Sequence, residues 1–331
     1  MKNRLYMLWF LVVTLVISSL PFQFSISAET LERFPTMIEV DMTTGKEKKM
    51  QLSNRTRGTL SEIAPKTATE EFNPDKLTLS TEELLAFEKK IKTEYNEINF
   101  ESDFTTFDET ANPSAIIGTD DRILVQDTTV FPNSAIAYVF VVFDGAYGNC
   151  SGFLYGPSTV ITNSHCLWDD TLGYAQFAMV YPGRNGEDIP FGGSSATQII
   201  VNSDFVNTQA PRHDYAIIKL NDPLGSYTGT LGFRYKENWE GAYARVTGYP
   251  ADPYHDRDKP DHTQWTMRGP IENEGNGMLY YKMDTTGGQS GCPVYIDPAY
   301  AIGVHGYGNP SFNSGVKITQ EMIAMFAYYY E

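Results

Sequence analysis

The sequence is poor in several features that mark other classes of protein. Its 331 residues include three cysteines and five histidines, and three cysteines without clustered histidines make a poor metal site. Lysine and arginine number 25 against 41 acidic residues, which gives a formal net charge of −16. Nucleic-acid-binding proteins normally carry a basic surface, so the shortage of basic residues argues against that class. We predict no metal, no cofactor and no nucleic-acid partner.

Long apolar runs are also scarce, and the one candidate lies at the N-terminus. Lys2 and Arg4 precede an apolar run over residues 5–17, and small residues follow at 25–28. This order is typical of a secretory signal peptide, which would occupy residues 1–28. An uncleaved membrane anchor is the competing interpretation, but the run is short for a span of about 20 residues. We expect a secreted, extracellular monomer without stable membrane association.

Export permits disulfide bonds, and the three cysteines are Cys150, Cys166 and Cys292. One pair plus one leftover is the simplest arrangement, and Cys150 with Cys166 is the local choice. Closing such a short loop would contribute about 3 kcal/mol to stability. Cys292 would then be free. A buried, small apolar side chain is its expected role.

Residues 29–115 differ in composition from the rest of the chain. They contain no cysteine, histidine or tryptophan. Ser80 and Glu83 fit a capping box at the start of an amphipathic helix within residues 79–91. The segment could be a small separate domain, a linker or a pro-segment. Its position between a signal peptide and a composition change favours a pro-segment.

Beyond residue 115 the chain is rich in Gly, Tyr, Val and Ile, arranged in short runs between turns. Such short strands at close spacing indicate an all-β sandwich or barrel. The predicted strands cover residues 135–143, 151–155, 159–163, 215–220, 243–248, 263–267, 279–283, 293–296, 301–305 and 315–318. A helical pattern of apolar residues covers 319–330.

Residues 284–293 form a turn in which Ser290 stands between glycines. Glycine permits positive φ and close approach of the backbone to a ligand. The N–H groups of Gly288 and Ser290 could therefore converge on one point, as an oxyanion hole requires. Alone, a plain turn between strands would be the commoner explanation.

A candidate base and a candidate acid elsewhere in the chain favour a catalytic serine over a plain turn. His165 ends a predicted strand beside Cys166, and a disulfide there would hold its turn rigid. Asp214 precedes an apolar strand and could orient the imidazole, although a turn residue is the common alternative. The order His165, Asp214, Ser290 is that of the chymotrypsin-type double β-barrel. The adjacent His213 would point to the opposite face of the strand.

The chain from residue 116 onward resembles the secreted glutamyl endopeptidases of Gram-positive bacteria, the V8-like branch of the trypsin-fold serine proteases. The motifs that carry the resemblance are residues 116–122 (IIGTDDR), 163–166 (NSHC), 181–186 (YPGRNG), 248–250 (GYP), 264–265 (QW) and 286–291 (TGGQSG). The resemblance implies a double six-stranded β-barrel with a C-terminal helix. It also implies a pro-segment over 29–115 and a protease domain over 116–331, with barrels at about 116–228 and 229–331.

The same resemblance implies cleavage of proteins or peptides after glutamate, and less well after aspartate. The residues that bind the substrate carboxylate would be Thr285, His305 and the mature N-terminal amine near Ile116. An imidazolium and an ammonium could each contribute a charged hydrogen bond worth about 1.5–3 kcal/mol. For His305 alone, a buried histidine on a strand would be the simpler explanation.

Gln289 departs from the trypsin pattern, because many trypsin-fold zymogens carry an aspartate there that pairs with the new N-terminus. We expect that switch to be absent and an activating protease to cut before Ala115 or Ile116. Two alternatives stay open: a protease of other or narrow specificity, and a non-catalytic toxin or adhesin on the same fold. A polar cluster over residues 252–262 suggests calcium, but its spacing favours a solvated loop.

Overall fold

The structure is a computed structural model that describes residues 35–51, 60–98, 115–251 and 261–330. The predicted signal peptide lies outside these residues. In the described ranges, no helix is long and apolar enough to cross a membrane.

The described residues form twenty strands and four α-helices. The strands are β1 (Thr36–Asp41), β2 (Glu47–Gln51), β3 (Glu62–Ile63), β4 (Asn96–Glu97), β5 (Ile123–Leu124), β6 (Ile136–Phe143), β7 (Ala146–Gly156), β8 (Thr159–Thr162), β9 (Trp168–Asp169), β10 (Gly173–Tyr174), β11 (Phe177–Pro182), β12 (Ser194–Asn202), β13 (Ala216–Leu220), β14 (Gly232–Arg234), β15 (Tyr243–Gly248), β16 (Trp265–Gly275), β17 (Met278–Tyr281), β18 (Pro293–Ile296), β19 (Tyr300–Asn309) and β20 (Phe312–Lys317). The helices are α1 (Thr81–Glu94), α2 (Ser203–Thr208), α3 (Leu224–Thr228) and α4 (Gln320–Tyr328).

Two six-stranded barrels make up the fold. In the first, the strand order is β11-β6-β7-β8-β13-β12, and β11 pairs with β12 to close the ring. In the second, the order is β18-β15-β16-β17-β20-β19, and β18 pairs with β19. Closure leaves neither ring with a free edge strand along its full length. The predicted all-β double barrel is confirmed.

Strand β6 shows why the first barrel forms at this stretch. All eight of its residues are apolar and buried. Alternate residues point to opposite faces of a strand, so one set fills the barrel while the other faces outward. The other face contacts α1 of the N-terminal part of the chain, where Lys92 sits 5.8 Å from the Phe140 ring. Arg184, just after β11, sits 4.8 Å from the Tyr138 ring on the same face.

Residues 35–51 and 60–98 do not form a separate domain. Strand β1 adds to β12 and β2 adds to β1, while β4 pairs with β7, all on the first barrel. Strand β3 pairs with β14, which joins the second barrel through β19. The predicted capping box is confirmed, because Ser80 accepts from the Glu83 N–H and Glu83 accepts from the Ser80 N–H at the start of α1.

Helix α4, near the C-terminal end of the described residues, packs against the barrels. Thr319 caps its N-terminus, and residues 322–326 are buried. Phe326 stacks on Phe233 at 4.7 Å between ring centroids. The sequence predicted this helix and ten strands, with ends shifted by a few residues, but it missed β11 and β12, which complete the first ring.

Candidate active site

His165 lies in the turn after β8 and is buried. The predicted disulfide is confirmed: Cys166, the next residue, is bonded to Cys150 of β7. Ser164 Oγ donates to the Tyr215 carbonyl at 2.8 Å, and Asn163 Nδ2 donates to the Asp214 carbonyl at 2.6 Å. The histidine turn is therefore fixed on one side by a covalent bond and on the other by the segment that carries Asp214.

Asp214 is fully buried and its carboxylate is held by three donors. Oδ2 lies 2.6 Å from His165 Nδ1 and accepts from the Tyr307 hydroxyl at 2.7 Å. Oδ1 accepts from the His165 backbone N–H at 3.0 Å. A carboxylate in this position fixes the imidazole tautomer and leaves Nε2 as the basic nitrogen.

The backbone before Asp214 differs from the prediction. We expected His213 to lie on the strand with Asp214, pointing to the opposite face. Instead, Pro211–His213 is a short 3-10 turn, and β13 begins only at Ala216. Proline at the first turn position sets φ for such a turn, so the acid is presented from the turn rather than from the strand.

Ser290 lies on a loop of the second barrel that is fastened to the first. The Ser151 backbone N–H of β7 donates to the Ser290 carbonyl at 2.7 Å, and Ser151 Oγ donates to the Gly288 carbonyl at 2.9 Å. Gly288 has φ +87°, and a Cβ there would meet the Ala251 nitrogen at 2.6 Å. Both facts require glycine at this position.

The N–H groups of this loop fall into two sets. Gln289 donates to the Thr286 carbonyl at 3.1 Å, and Gly291 donates to the His305 carbonyl at 2.8 Å. Those of Gly288 and Ser290 donate to no acceptor in the described part of the chain. Two such donors on one tight turn are what a developing oxyanion needs.

Thr285 and His305, the two predicted pocket side chains, are fully buried. Tyr281 Oη lies 2.6 Å from His305 Nδ1. Among the described residues, Thr285 Oγ1 and His305 Nε2 have no hydrogen-bond partner. Buried polar atoms are normally paired, so these two atoms indicate a site that a polar ligand completes.

The charge state of His305 differs from our expectation of an imidazolium. Burial lowers its pKa to about 3; the Ser314 backbone opposes the shift, and His165 adds to it. In the unliganded protein the ring is therefore neutral at neutral pH. Either atom of the Tyr281–His305 pair can be the donor. In the tautomer in which Tyr281 donates to Nδ1, the ring proton lies on Nε2 and can be donated to a ligand.

The segment that begins at Ala115 lies beside the pocket residues. Thr285 N–H donates to the Ala115 carbonyl at 3.3 Å. The Asn313 side chain makes two bonds to Ala115: Oδ1 accepts from the Ala115 N–H at 2.8 Å, and Nδ2 donates to the Ala115 carbonyl at 2.7 Å. Asp284 accepts from the N–H groups of Ile117 and Asp121 at 2.8 and 3.0 Å. Burial raises the pKa of Asp284, and these two hydrogen bonds oppose the rise. Ile116 thus lies one residue from a direct contact with Thr285.

Comparison with known proteins assigns this arrangement to a family. A family profile described as Trypsin matches residues 125–325. The chain belongs to the trypsin family. Other trypsin-fold structures, including a collagenase at 15% identity with a TM-score of 0.51, share the fold.

Several relatives of this trypsin-family chain carry a more specific name. The glutamyl endopeptidase of Bacillus licheniformis is 35% identical over 221 residues, which cover 63% of this chain and 66% of the relative. That of Staphylococcus epidermidis is 31% identical over 216 residues, 62% of this chain and 71% of the relative. The solved structure of a Glu endopeptidase in complex with MPD superposes with a TM-score of 0.60 at 32% identity, covering 65% of this chain and 99% of that one.

One trypsin-family relative bears a different name, the extracellular metalloprotease of Bacillus subtilis, 34% identical over 67% of this chain and 71% of the relative. Over the described ranges, a single group of His, Cys, Asp and Glu side chains is close enough to share a metal: Cys150, His165 and Cys166. The two sulfurs are bonded to each other, and a metal requires thiolates. This donor set does not fit a metal centre.

Sequence reasoning missed the side chains that support the predicted ones. Tyr281 and Tyr307 stand on strands as ordinary β-formers, Asn313 is a single polar residue on β20, and no spacing marks any of them. Tyr307 follows His305 by two residues, but a register shift separates them, so strand periodicity could not place both. The free Cys292 is buried, as predicted.

His262 also departs from expectation. Residues 252–260 of the predicted solvated loop lie outside the described residues, but His262 packs against α1. Its Nε2 lies 3.0 Å from Lys92 Nζ, and its ring meets the Tyr138 ring at 4.9 Å. The residue is a contact of the N-terminal segment rather than part of a solvated loop.

Proposed function

We propose that this protein is a secreted serine endopeptidase that cleaves peptide bonds after glutamate and, less well, after aspartate. The observation that carries the proposal is the pair of buried, unpartnered polar atoms, Thr285 Oγ1 and His305 Nε2, in a fold where His165 and Asp214 are already hydrogen-bonded. The name shared by the Bacillus licheniformis and Staphylococcus epidermidis relatives supports the same specificity.

The proposed reaction proceeds through an acyl-enzyme. Ser290 Oγ attacks the peptide carbonyl carbon while His165 Nε2 takes its proton, and the oxyanion receives hydrogen bonds from the N–H groups of Gly288 and Ser290. The imidazolium then gives its proton to the leaving amine as the C–N bond breaks. Water, deprotonated by His165, releases the acid product and restores the Ser290 hydroxyl. Asp214 stabilises the imidazolium in both halves of the reaction.

In the proposed pocket, the substrate carboxylate accepts hydrogen bonds from Thr285 Oγ1 and His305 Nε2 and pairs with the amine of the mature N-terminus. A site with buried donors rejects ligands that cannot accept from them. Glutamine lacks the charge, and an apolar side chain would leave both donors unpaired.

The proposed organisation is a signal peptide over 1–28, a pro-segment over 29–115 and a protease domain over 116–331, with the barrels dividing near residue 228. The contact between Ala115 and Thr285 supports a cut at this point, because an amine created there would lie beside the pocket. N-terminal sequencing of the active secreted form tests the assignment. We expect a start at Ala115 or Ile116, and a start far upstream contradicts it.

A peptide series with Glu, Gln, Asp or Lys at the cleaved position tests the function. We expect wild-type enzyme to prefer Glu over Gln by at least tenfold, and Ser290→Ala to lose about six orders of magnitude in kcat. Equal rates for Glu and Gln would contradict the proposed carboxylate pocket. If Ser290→Ala, purified free of other proteases, cleaved at the wild-type rate, the proposed serine mechanism would be wrong.

A further inference from the structure

The side chain that precedes the nucleophile has a partner that the activation scheme does not use. Gln289 is buried, and its Oε1 accepts from the Thr286 backbone N–H at 3.0 Å and from Arg122 Nη1 at 3.1 Å. The first bond closes the turn that contains Gly287 and Gly288. The second ties the turn to a cation on a distant part of the chain.

Arg122 is built into the protein as a buried cation. Its side chain is 1% exposed and its Nη2 lies 2.6 Å from Asp120 Oδ2. Nε donates to the other Asp120 oxygen at 2.9 Å, and Nη1 also donates to Thr286 Oγ1 at 2.7 Å. A guanidinium held by a carboxylate on one edge presents its remaining N–H groups in a fixed direction. Here that direction is toward the two residues that frame the glycine pair.

We propose that Arg122 is the positioning residue of the oxyanion-hole loop, and that it takes the place of the N-terminal ammonium that pairs with an aspartate in trypsin-type zymogens. The proposal rests on the serine mechanism above, because Gly288 and Ser290 supply the oxyanion donors. Arg122 touches neither substrate nor Ser290 in this scheme. It acts through Gln289 and Thr286.

Positioning by Arg122 differs from the trypsin arrangement in its dependence on cleavage. The contacts of Arg122 are all present in the uncut chain, in which residue 115 still carries an amide N–H bound to Asn313. The oxyanion-hole loop is therefore formed before activation, and the cut completes only the carboxylate pocket. The uncut chain should be unable to select glutamate and yet able to react at Ser290 with a small reagent that has no acidic side chain.

A fluorescent fluorophosphonate tests this directly, because uncut and cut chains separate by mass on one gel. We expect both forms of the wild type to be labelled, at rates within about tenfold of each other. Arg122→Met and Gln289→Met should each lower the labelling rate about 10- to 100-fold in both forms, since loss of an oxyanion donor costs a factor of about 100 to 1,000. The double variant should lose no more than the larger single loss, because both changes break one connection.

Controls separate positioning from general stability. Arg268→Met removes an exposed arginine of β16 that lies 5.7 Å from the Tyr243 ring and should leave labelling unchanged. Gln289→Glu keeps an acceptor for Arg122 and should retain labelling. On cut enzyme with a Glu peptide, Arg122→Met should lower kcat and leave KM within about threefold, because the pocket is intact.

Two results would overturn the inference while leaving the proposed function standing: labelling of cut but not uncut wild type, or wild-type labelling of Arg122→Met. If Arg122→Met does not fold, Gln289→Met and the uncut wild type decide the matter. Absence of labelling in both wild-type forms would remove the serine mechanism, and this inference with it.

Discussion

Thr285 and His305 place two different donors on one proposed ligand, and neither has a competing protein partner at the relevant atom among the described residues. A neutral site of this kind binds a carboxylate without the cost of burying a second charge in the free enzyme. The mature amine then supplies a full positive charge to the proposed pocket. Specificity for an acid would therefore depend on the cut as well as on these two side chains.

Thr285→Val keeps the shape of the side chain and removes its hydroxyl. We expect kcat/KM for a Glu peptide to fall about 10- to 100-fold, which corresponds to a charged hydrogen bond of about 1.5–3 kcal/mol, and that for a Gln peptide to change little. Thr197→Val, at the exposed residue of β12, is the matched control. Parallel losses on Glu and Gln peptides would show that Thr285 does not contact the carboxylate.

Among individual residues, the catalytic candidates could be predicted because their chemistry requires particular residue types in short motifs. The residues that support them through tertiary contacts could not. His165, Asp214 and Ser290 stand in a fixed order within recognisable runs. Tyr281 and Arg122 act only because folding brings them to His305 and Gln289, 24 and 167 residues away along the chain. No local pattern encodes such a distance.

Helix α1 contributes a buried ion pair to the contact between the N-terminal segment and the first barrel. Glu88 Oε2 lies 2.8 Å from Arg184 Nη1, and both side chains are nearly inaccessible. Lys92, one turn further along α1, lies 2.7 Å from the other Glu88 oxygen. Burial acts to raise the pKa of Glu88, but Arg184 and Lys92 outweigh it and hold that pKa below its usual range.

Glu88→Gln should destabilise the uncut chain by about 3 kcal/mol, because removing one partner leaves Arg184 as an uncompensated buried charge. The measurement is a urea titration of the uncut protein. Glu62→Gln is the matched control, since Glu62 also joins the N-terminal segment to an arginine, Arg234, but at the surface. Equal effects of the two substitutions would contradict the role of burial.

Acid should release the N-terminal segment after the cut. Burial lowers the pKa of His262 to about 3, with further lowering by Arg184 and Lys92 and opposition from Glu88. When α1 leaves, burial and Lys92 are removed, so the pKa rises toward about 6.5. The released state then binds the proton more tightly, and release is favoured as pH falls from about 6.5 toward 3. Glu88, whose pKa is lowered in the bound state, acts in the same direction.

Size-exclusion chromatography of cut Ser290→Ala protein measures this release without self-digestion. We expect the segment to co-elute with the protease domain at pH 7.5 and to separate progressively toward pH 4.5. His262→Gln should flatten the dependence. An elution pattern that does not change with pH would contradict the account.

For the whole molecule, the double barrel could be predicted because strand spacing, turn residues and the order of three motifs agree. Of the twelve barrel strands, two were missed, β11 and β12, for different physical reasons. In β12, polar Ser, Thr and Gln residues dilute the apolar pattern of its first half, and Pro182 ends β11. The added strands β1 and β3 could not be predicted, because a strand that joins an existing sheet is defined by its partner and not by its own residues.

The pairing of residues 35–51 and 60–98 with the barrels has a consequence for timing. Their strands and helix attach to both barrels. Each strand pairing joins a residue before the proposed cut to one after it, so breaking the peptide bond before residue 115 or 116 breaks none of them. Severing the chain and shedding the segment are therefore separate events, the second a first-order process that does not depend on how much activating protease is present. A secreted cohort cut in one moment would shed its segments over a spread of times and distances from the cell. The fold would thus delay release, and the duration of the delay would depend on how strongly the N-terminal segment binds the barrels.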